Sequence, residues 1–217
     1  MSDISDIPDS EPATHGRPVV RLKPKAEARA IRHGFPWVYA DELVTDRRTQ
    51  ALVPGALAVL EDGDRRPLGL VTVNTASKII CRMLDRDPAA LIDEAWFARR
   101  IGVALSLRAR LFDAPFYRLV HAEADGLPGV VIDRFGDVAV VQPNAAWAEA
   151  HLDALVAALV RLTGVRAVVK NGTGRARGLE GMAEETLVLQ GEISGPVPVV
   201  KKFRLLSLKK ISRILSL

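Results

Sequence analysis

Short apolar stretches separated by turn residues fill the first third of the chain. Val19-Val-Arg-Leu22 predicts a strand, and Pro24 suits the first turn of a helix over 25–32 that Gly34 ends. Phe35-Pro-Trp-Val-Tyr39 is aromatic and extended. Pro54-Gly55 leads into a strand at 56–60, Asp62-Gly63 marks a hairpin turn, and 68–73 and 78–84 predict two more strands. Strands this short, with turns this close together, predict a small barrel.

After Asp85-Arg-Asp-Pro88 the period lengthens. Residues 92–112 predict a long helix with Trp96, Phe97, Ile101, Ala104, Leu105, Leu107 and Leu111 on its apolar stripe. Arg99, Arg100, Arg108 and Arg110 fall mostly outside that stripe. A hairpin then follows, with an acidic loop at its entry. Asp125-Gly126 and Pro128-Gly129 are turn signals, Leu127, Val130, Val131 and Ile132 form an apolar run, and Arg134-Phe-Gly-Asp137 turns the chain into a returning strand at 138–142. Residues 147–162 predict a second amphipathic helix between Asn144 and Gly164, and 165–170 and 187–190 two further strands. Helices interleaved with strands predict an α/β unit.

At 217 residues, 48% of them hydrophobic, the chain has room for one or two domains with a proper core. No apolar run approaches the ~20 residues that cross a bilayer. The first residues are acidic and lack an apolar signal core, and Cys81 is the one cysteine, so no internal disulfide forms. Together these favour a cytoplasmic protein. The net charge of +4 is unevenly spread. Residues 1–16 carry four acids and no Lys or Arg and predict a disordered leader. Residues 17–37 carry six bases against Glu27. The last 18 residues carry six more and no acid, with Leu205, Leu208, Ile211 and Leu215 at helical spacing.

RNA binding needs cations for phosphates and flat groups for bases. Arg21, Lys23, Lys25, Arg29 and Arg32 supply the first, and His33, Trp37 and Tyr39 the second. On a helix over 25–32, Lys25, Arg29 and Arg32 share one face; the alternative is a solvated face with Trp37 in the core. Glu123 and Asp125 have two readings as well. They either cap a polar turn or stand at a cleft to hold a polar substrate. Asn171-Gly-Thr-Gly-Arg-Ala-Arg-Gly178 matches no phosphate-loop spacing and reads as a basic turn, although Arg175 and Arg177 could meet phosphate. Cys81 lies in an apolar strand, where a small buried thiol is the default. No His/Cys cluster has metal-ligand spacing.

The string Glu-x-Asp-Gly-Leu-Pro-Gly-x-x-x-Asp-Arg-Phe-Gly at 123–136 resembles the central-domain signature of RlmI-type large-subunit ribosomal RNA 5-cytosine methyltransferases. Arg21-Leu-Lys-Pro-Lys, Arg32-His-Gly-Phe-Pro-Trp-Val-Tyr39, Pro54-Gly55 and Leu68-Gly-Leu-Val-Thr-Val-Asn74 resemble that family's PUA module. The resemblance implies an α+β/α/β chain: a PUA-like small β-barrel at 17–86 and an α/β central domain at 89–198, with no Rossmann-like SAM domain. It implies an RNA face at Arg21, Lys23, Lys25, Arg29, Arg32, His33 and Trp37. It also implies a cleft loop at Glu123, Asp125, Gly126, Asp133 and Arg134. The partner would be ribosomal or other structured RNA. S-adenosylmethionine would serve the intact family, with none expected to bind this chain alone. The ring-attacking cysteine would lie in a catalytic domain expected to be missing here, leaving the chain catalytically incompetent alone and its basic tail at 199–217 foreign sequence. The competing expectation is a non-catalytic small-barrel interaction module whose basic C-terminal helix docks on a membrane or protein partner.

Overall fold

The computed structural model of the chain describes residues 16–193, 195 and 197. The expected acidic leader and the basic tail at 199–217 lie outside these described residues. Two five-stranded sheets organise the rest. The first collects β1 (Val19–Arg21), β2 (Trp37–Tyr39), β3 (Ala56–Glu61), β4 (Pro67–Val73) and β5 (Ile79–Asp85), with α1 (Ala28–Arg32) and α2 (Arg47–Gln50) in its connections. β3, β4 and β5 form an antiparallel meander; β1 adds to β3 in parallel, and β2 adds to β5 antiparallel. Beyond the two edge strands, Leu22 and Leu43 meet in an antiparallel bridge. Lys23 N–H donates to Glu42 O at 2.8 Å, and Val44 N–H to Arg21 O at 2.9 Å, tying the edges together. Strand alternation sends Val20, Val38, Ala58, Leu60, Val71 and Val73 into one core with Leu22, Leu43 and Ile31.

The helix expected over 25–32 begins only at Ala28. Lys23 to Ala26 make a turn, with Ala26 N–H donating to Lys23 O at 2.9 Å. Pro24 therefore precedes the helix instead of opening it. Lys25 leaves the face it was expected to share with Arg29 and Arg32.

The second sheet has the order β10-β9-β8-β7-β6. Its strands are β6 (Phe116–His121), β7 (Val130–Phe135), β8 (Val138–Pro143), β9 (Ala167–Asn171) and β10 (Thr186–Gln190). Around them lie α3 (Glu94–Leu111), a 3-10 turn (Ala122–Asp125), α4 (Ala146–Ala150), α5 (Leu152–Thr163) and α6 (Arg175–Leu179). β7 and β8 make the expected hairpin, turning at Gly136. β8 and β9 run parallel, joined through α4 and α5. That crossover is a β–α–β unit, the repeating element of Rossmann-like sheets. The expectation that the chain carries no Rossmann-like SAM domain is corrected, this unit being a Rossmann-like building block. The physical reason lies in the strands: Val138–Val141 and Ala167–Lys170 are buried at every position, the pattern of strands covered on both faces. On one face Ala139, Val141 and Val168 meet α3 and α5; on the other Val138 and Ala167 pack with Val197.

Aromatic packing fixes the helices. Phe97 and Trp147 stack at 6.0 Å, and Trp96 meets Trp147 edge-on at 6.0 Å. Asp93 caps α3 by accepting from Trp96 N–H at 2.8 Å. The expected α3 stripe holds only in its first half. Trp96, Phe97, Ile101 and Ala104 are buried, whereas Leu107 and Leu111 are exposed. Two arginines read as outside the stripe turn inward instead. The Arg100 guanidinium lies 3.7 Å over the Trp96 ring, and Arg108 reaches Asp125. The helix expected over 147–162 is broken at His151, whose Nδ1 sits 2.7 Å from Trp147 O.

The two sheets pack closely. Leu57 of β3 joins the core of the second unit, and a Cβ on Gly55 would lie 2.8 Å from the backbone of Ala146 and Trp147. Among the described residues no helix is long and apolar enough to cross a membrane.

Candidate nucleic-acid interface

The predicted basic residues divide by partner. Arg21 pairs with Glu61 at 3.0 Å, and Arg32 pairs with the buried Asp62. Lys23 Nζ donates to Asp41 O at 2.8 Å. Lys25, Arg29 and His33 are exposed, and among the described residues no side-chain hydrogen bond or ion pair engages them. Phe35, Trp37 and Tyr39 stand beside them. Phe35 N–H donates to Ala30 O at 3.0 Å, which ties the aromatic segment to α1. The three rings form a triangle with centroids 6.0 to 6.5 Å apart, while Val38 between them points into the core. Phe35 and Tyr39 remain 41% and 38% exposed. Phe35 was read only as part of an extended segment; its place beside α1 follows from the turn at His33-Gly34, which spacing alone does not give.

The acidic string is wired into the fold residue by residue. Asp125 receives both guanidinium nitrogens of Arg108, at 2.8 and 2.6 Å, and the N–H of His121 at 2.7 Å. Gly126 ends the 3-10 turn in the left-handed region, and its carbonyl accepts from Arg100 Nε at 2.9 Å. Leu127 is fully buried. Pro128 O accepts the Trp147 indole N–H at 2.9 Å. A side chain on Gly129 would strike Ala145 Cβ at 2.7 Å, so glycine permits that approach. Asp133 pairs across the ladder with Arg118, its register partner, at 2.9 and 3.1 Å. Arg134 donates to Gly136 O and Thr163 O.

Glu123 faces the first sheet. Its Oε1 accepts the Trp37 indole N–H at 2.9 Å and Arg82 Nη1 at 3.0 Å. Arg82 also pairs with Glu180 at 3.0 Å, and Glu180 accepts from Asn74 Nδ2 at 2.8 Å. Trp37 comes from β2, Arg82 from β5 and Asn74 from the turn that follows β4, and Glu123 and Glu180 come from two segments of the second unit. This latch joins the two sheets and holds the Trp37 ring by its edge. Arg82, Asn74 and Glu180 were not singled out from sequence. The available signal was an arginine at 82 inside an apolar strand, which requires a counter-charge if buried.

A second network surrounds Lys170, which is 2% exposed. It pairs with Glu149 and, at 2.5 Å, with Glu185. Arg177 joins Glu149 at 2.7 Å and donates to Pro143 O and Ala183 O. Arg177 is thus buried inside the short helix α6 and unavailable to phosphate; Arg175 is exposed. Gly172 does not open a cradle for a nucleotide or S-adenosylmethionine. The space a Gly172 Cβ would take lies 2.4 Å from Glu185 O and 3.0 Å from Arg177 Nε, so the protein itself fills it. No step through the methyl donor follows from this loop. Cys81 is buried, and burial pushes its thiol well above the ordinary range, as suits a core residue. Among the described residues no group of His, Cys, Asp and Glu could hold a metal.

Residues 20–86 match the family described as PUA-like domain. Over 80% of its length the chain is 36% identical to the ribosomal RNA large subunit methyltransferase I of Alteromonas mediterranea, covering 44% of that protein. It is 34% identical to the Cronobacter sakazakii protein of the same name and 37% identical, over 64% of its length, to a ribosomal RNA large subunit methyltransferase of Deinococcus radiodurans. The chain resembles the RlmI-type ribosomal RNA methyltransferases. It spans less than half the length of these curated relatives. In fold, 82% of the chain superposes on a structure described as a SAM-dependent methyltransferase from Streptococcus mutans, with TM-score 0.66, 14% identity and 44% of that chain covered. A methyltransferase complexed with SAH gives TM-score 0.64 over the same share of this chain. These neighbours overturn the expected fold class of an RNA module and α/β unit apart from any SAM-methyltransferase fold. The fold is one shared with methyltransferase chains, not that of an RNA-binding module alone.

Proposed function

We propose that this chain recognises RNA for S-adenosylmethionine-dependent methylation, with ribosomal RNA the target and cytosine carbon 5 the position modified. The first sheet, over about 17–86, docks the RNA, and the α/β unit over about 89–198 packs against it and supports it. The observation that carries this reading is the exposed set Lys25, Arg29 and His33 near the exposed rings of Phe35 and Tyr39, with Lys25 and Arg29 supplying positive charge. Arg21, Lys23 and Arg32 border the same face with their charges already engaged by Glu61, the Asp41 carbonyl and Asp62, so they shape the surface and add less to phosphate attraction. In this reading Glu123 and Asp125 act through structure. They set the loop that joins the two units instead of touching substrate. The names of the relatives and the PUA-like match support the assignment. The test is binding of the purified chain to a ribosomal RNA fragment across a salt series. Affinity that falls steeply with salt supports it; no measurable RNA binding at low salt contradicts it.

A further inference from the structure

We infer that the Phe35–Trp37–Tyr39 triangle is a stacking platform for an unpaired base, so that the RNA held here is single-stranded or presents a splayed-out nucleotide. This rests on the reading of the first sheet as an RNA-docking module and names the kind of RNA it takes.

Four observations combine. The chain's other tryptophans, Trp96 and Trp147, are completely buried together with Phe97, whereas Phe35 and Tyr39 are exposed and Trp37 is half-buried between them, on or just before the edge strand β2. The rings touch one another with centroids 6.0 to 6.5 Å apart, Trp37 edge-on to both neighbours and Phe35 tilted 41° to Tyr39, so they form one aromatic cluster on whose exposed Phe35 and Tyr39 rings a base can lie. The platform is rigid: Trp37 is held through its indole N–H by Glu123, which Arg82 fixes in turn. Lastly, a cation stands near the Phe35 end: Arg29 lies on α1, whose Ala30 carbonyl accepts the Phe35 N–H. At the Tyr39 end a hollow of about 470 Å³ is lined by Tyr39, Ala40, Asp41, Glu42 and Lys78. Glu42 accepts the Tyr39 N–H at 2.7 Å, leaving the Asp41 carboxylate facing solvent. The Asp41 and Glu42 carboxylates, with Lys78 beside them, offer acceptors and a donor to the edge of a base. In this reading the phosphates run over α1, and the base lies across the rings toward the hollow. A duplex hides its base faces in its own stack and cannot use this surface.

The test uses the full chain with a ten-nucleotide single-stranded RNA and the same sequence as a duplex. Because Trp96 and Trp147 are buried, quenching of tryptophan fluorescence reports on Trp37. Single-stranded RNA is expected to quench it, and the duplex to leave it unchanged. A Phe35→Leu/Tyr39→Leu variant, with its unfolding midpoint checked, should lose about tenfold or more of its single-strand affinity. Its duplex affinity should change less than twofold. Lys25→Ala/Arg29→Ala should weaken both. The inference is overturned if wild type binds single strands without quenching, or if the ring variant weakens both RNAs equally or neither. Failure of wild type to bind either RNA would instead remove the RNA reading of the whole chain.

Discussion

Replacing Arg82 by Met tests whether the latch between the two sheets is structural. The Arg82 side chain is 15% exposed and neutralises two carboxylates, Glu123 at 19% and Glu180 at 5%. Methionine keeps most of the volume and removes the charge. Both carboxylates then remain largely desolvated without their cation. Removing one partner of a buried pair costs about 3–5 kcal/mol. Partial exposure of Glu123 and the retained bonds from Trp37 and Asn74 reduce this to about 2–4 kcal/mol. For a protein of this size that lowers the melting temperature by roughly 5–15 °C. The assay is urea and thermal unfolding of Arg82→Met beside the triple variant Arg82→Met/Glu123→Gln/Glu180→Gln. Neutral amides in place of the stranded acids should recover a third or more of the loss. A loss under about 0.5 kcal/mol for Arg82→Met would refute the reasoning, and so would a triple variant no better than the single one.

Other consequences follow from the same geometry. Gly129→Ala places a methyl group against Ala145 at a φ of +73° and should destabilise by about 2 kcal/mol or more, read from the urea midpoint. Ala122 sits at a φ of +48°, a conformation glycine adopts freely, so Ala122→Gly should raise stability by about 0.5–1 kcal/mol; a loss would show the strain reading wrong. Burial pushes the carboxyls of Asp62, Asp85 and Glu149 upward, but hydrogen bonds outweigh it, from Arg66 N–H and Arg32 to Asp62, from Asp87 N–H, Trp96 and Arg100 to Asp85, and from Lys170 and Arg177 to Glu149. All three therefore lie below their ordinary values. Their contribution to stability is complete above the unfolded-state value, near pH 4, and is lost as pH falls through the lower folded values. The urea midpoint should hold from pH 7 to about 5 and fall below about pH 4; an unchanged midpoint at pH 3 would contradict this.

Most sheet strands were legible because they carry alternation or a continuous apolar run between turn residues. Leu68–Val73 and Val138–Gln142 are examples. β2 was read only as an extended aromatic segment, and β6 was not read as a strand. α1 was read too long because Pro24 is acceptable both inside a first turn and just before one, and the Lys23–Ala26 turn decides between them. The break at His151 was invisible because the apolar spacing runs through it; the hydrogen bond between His151 and Trp147 O is a tertiary choice. The α3 stripe misled in its second half because helical spacing does not report where the partner layer stops. The acidic string illustrates the same limit. Its spacing marked it as special, yet the roles of Asp125 and Glu123 depend on Arg108 and Arg82, which lie 17 and 41 residues away. Glu180, 98 residues from Arg82, gave no local sign. The basic face was legible as composition, but not which of its charges are free.

The central claim is that the free cations of the first sheet contact RNA phosphates. Its most direct test is the salt dependence of binding to a ribosomal RNA fragment, wild type against Lys25→Ala/Arg29→Ala. The account predicts weaker binding by the variant and a log–log slope smaller in magnitude by about 1.4–1.8, the signature of two lost phosphate contacts. Identical affinity and slope in the two proteins would contradict it.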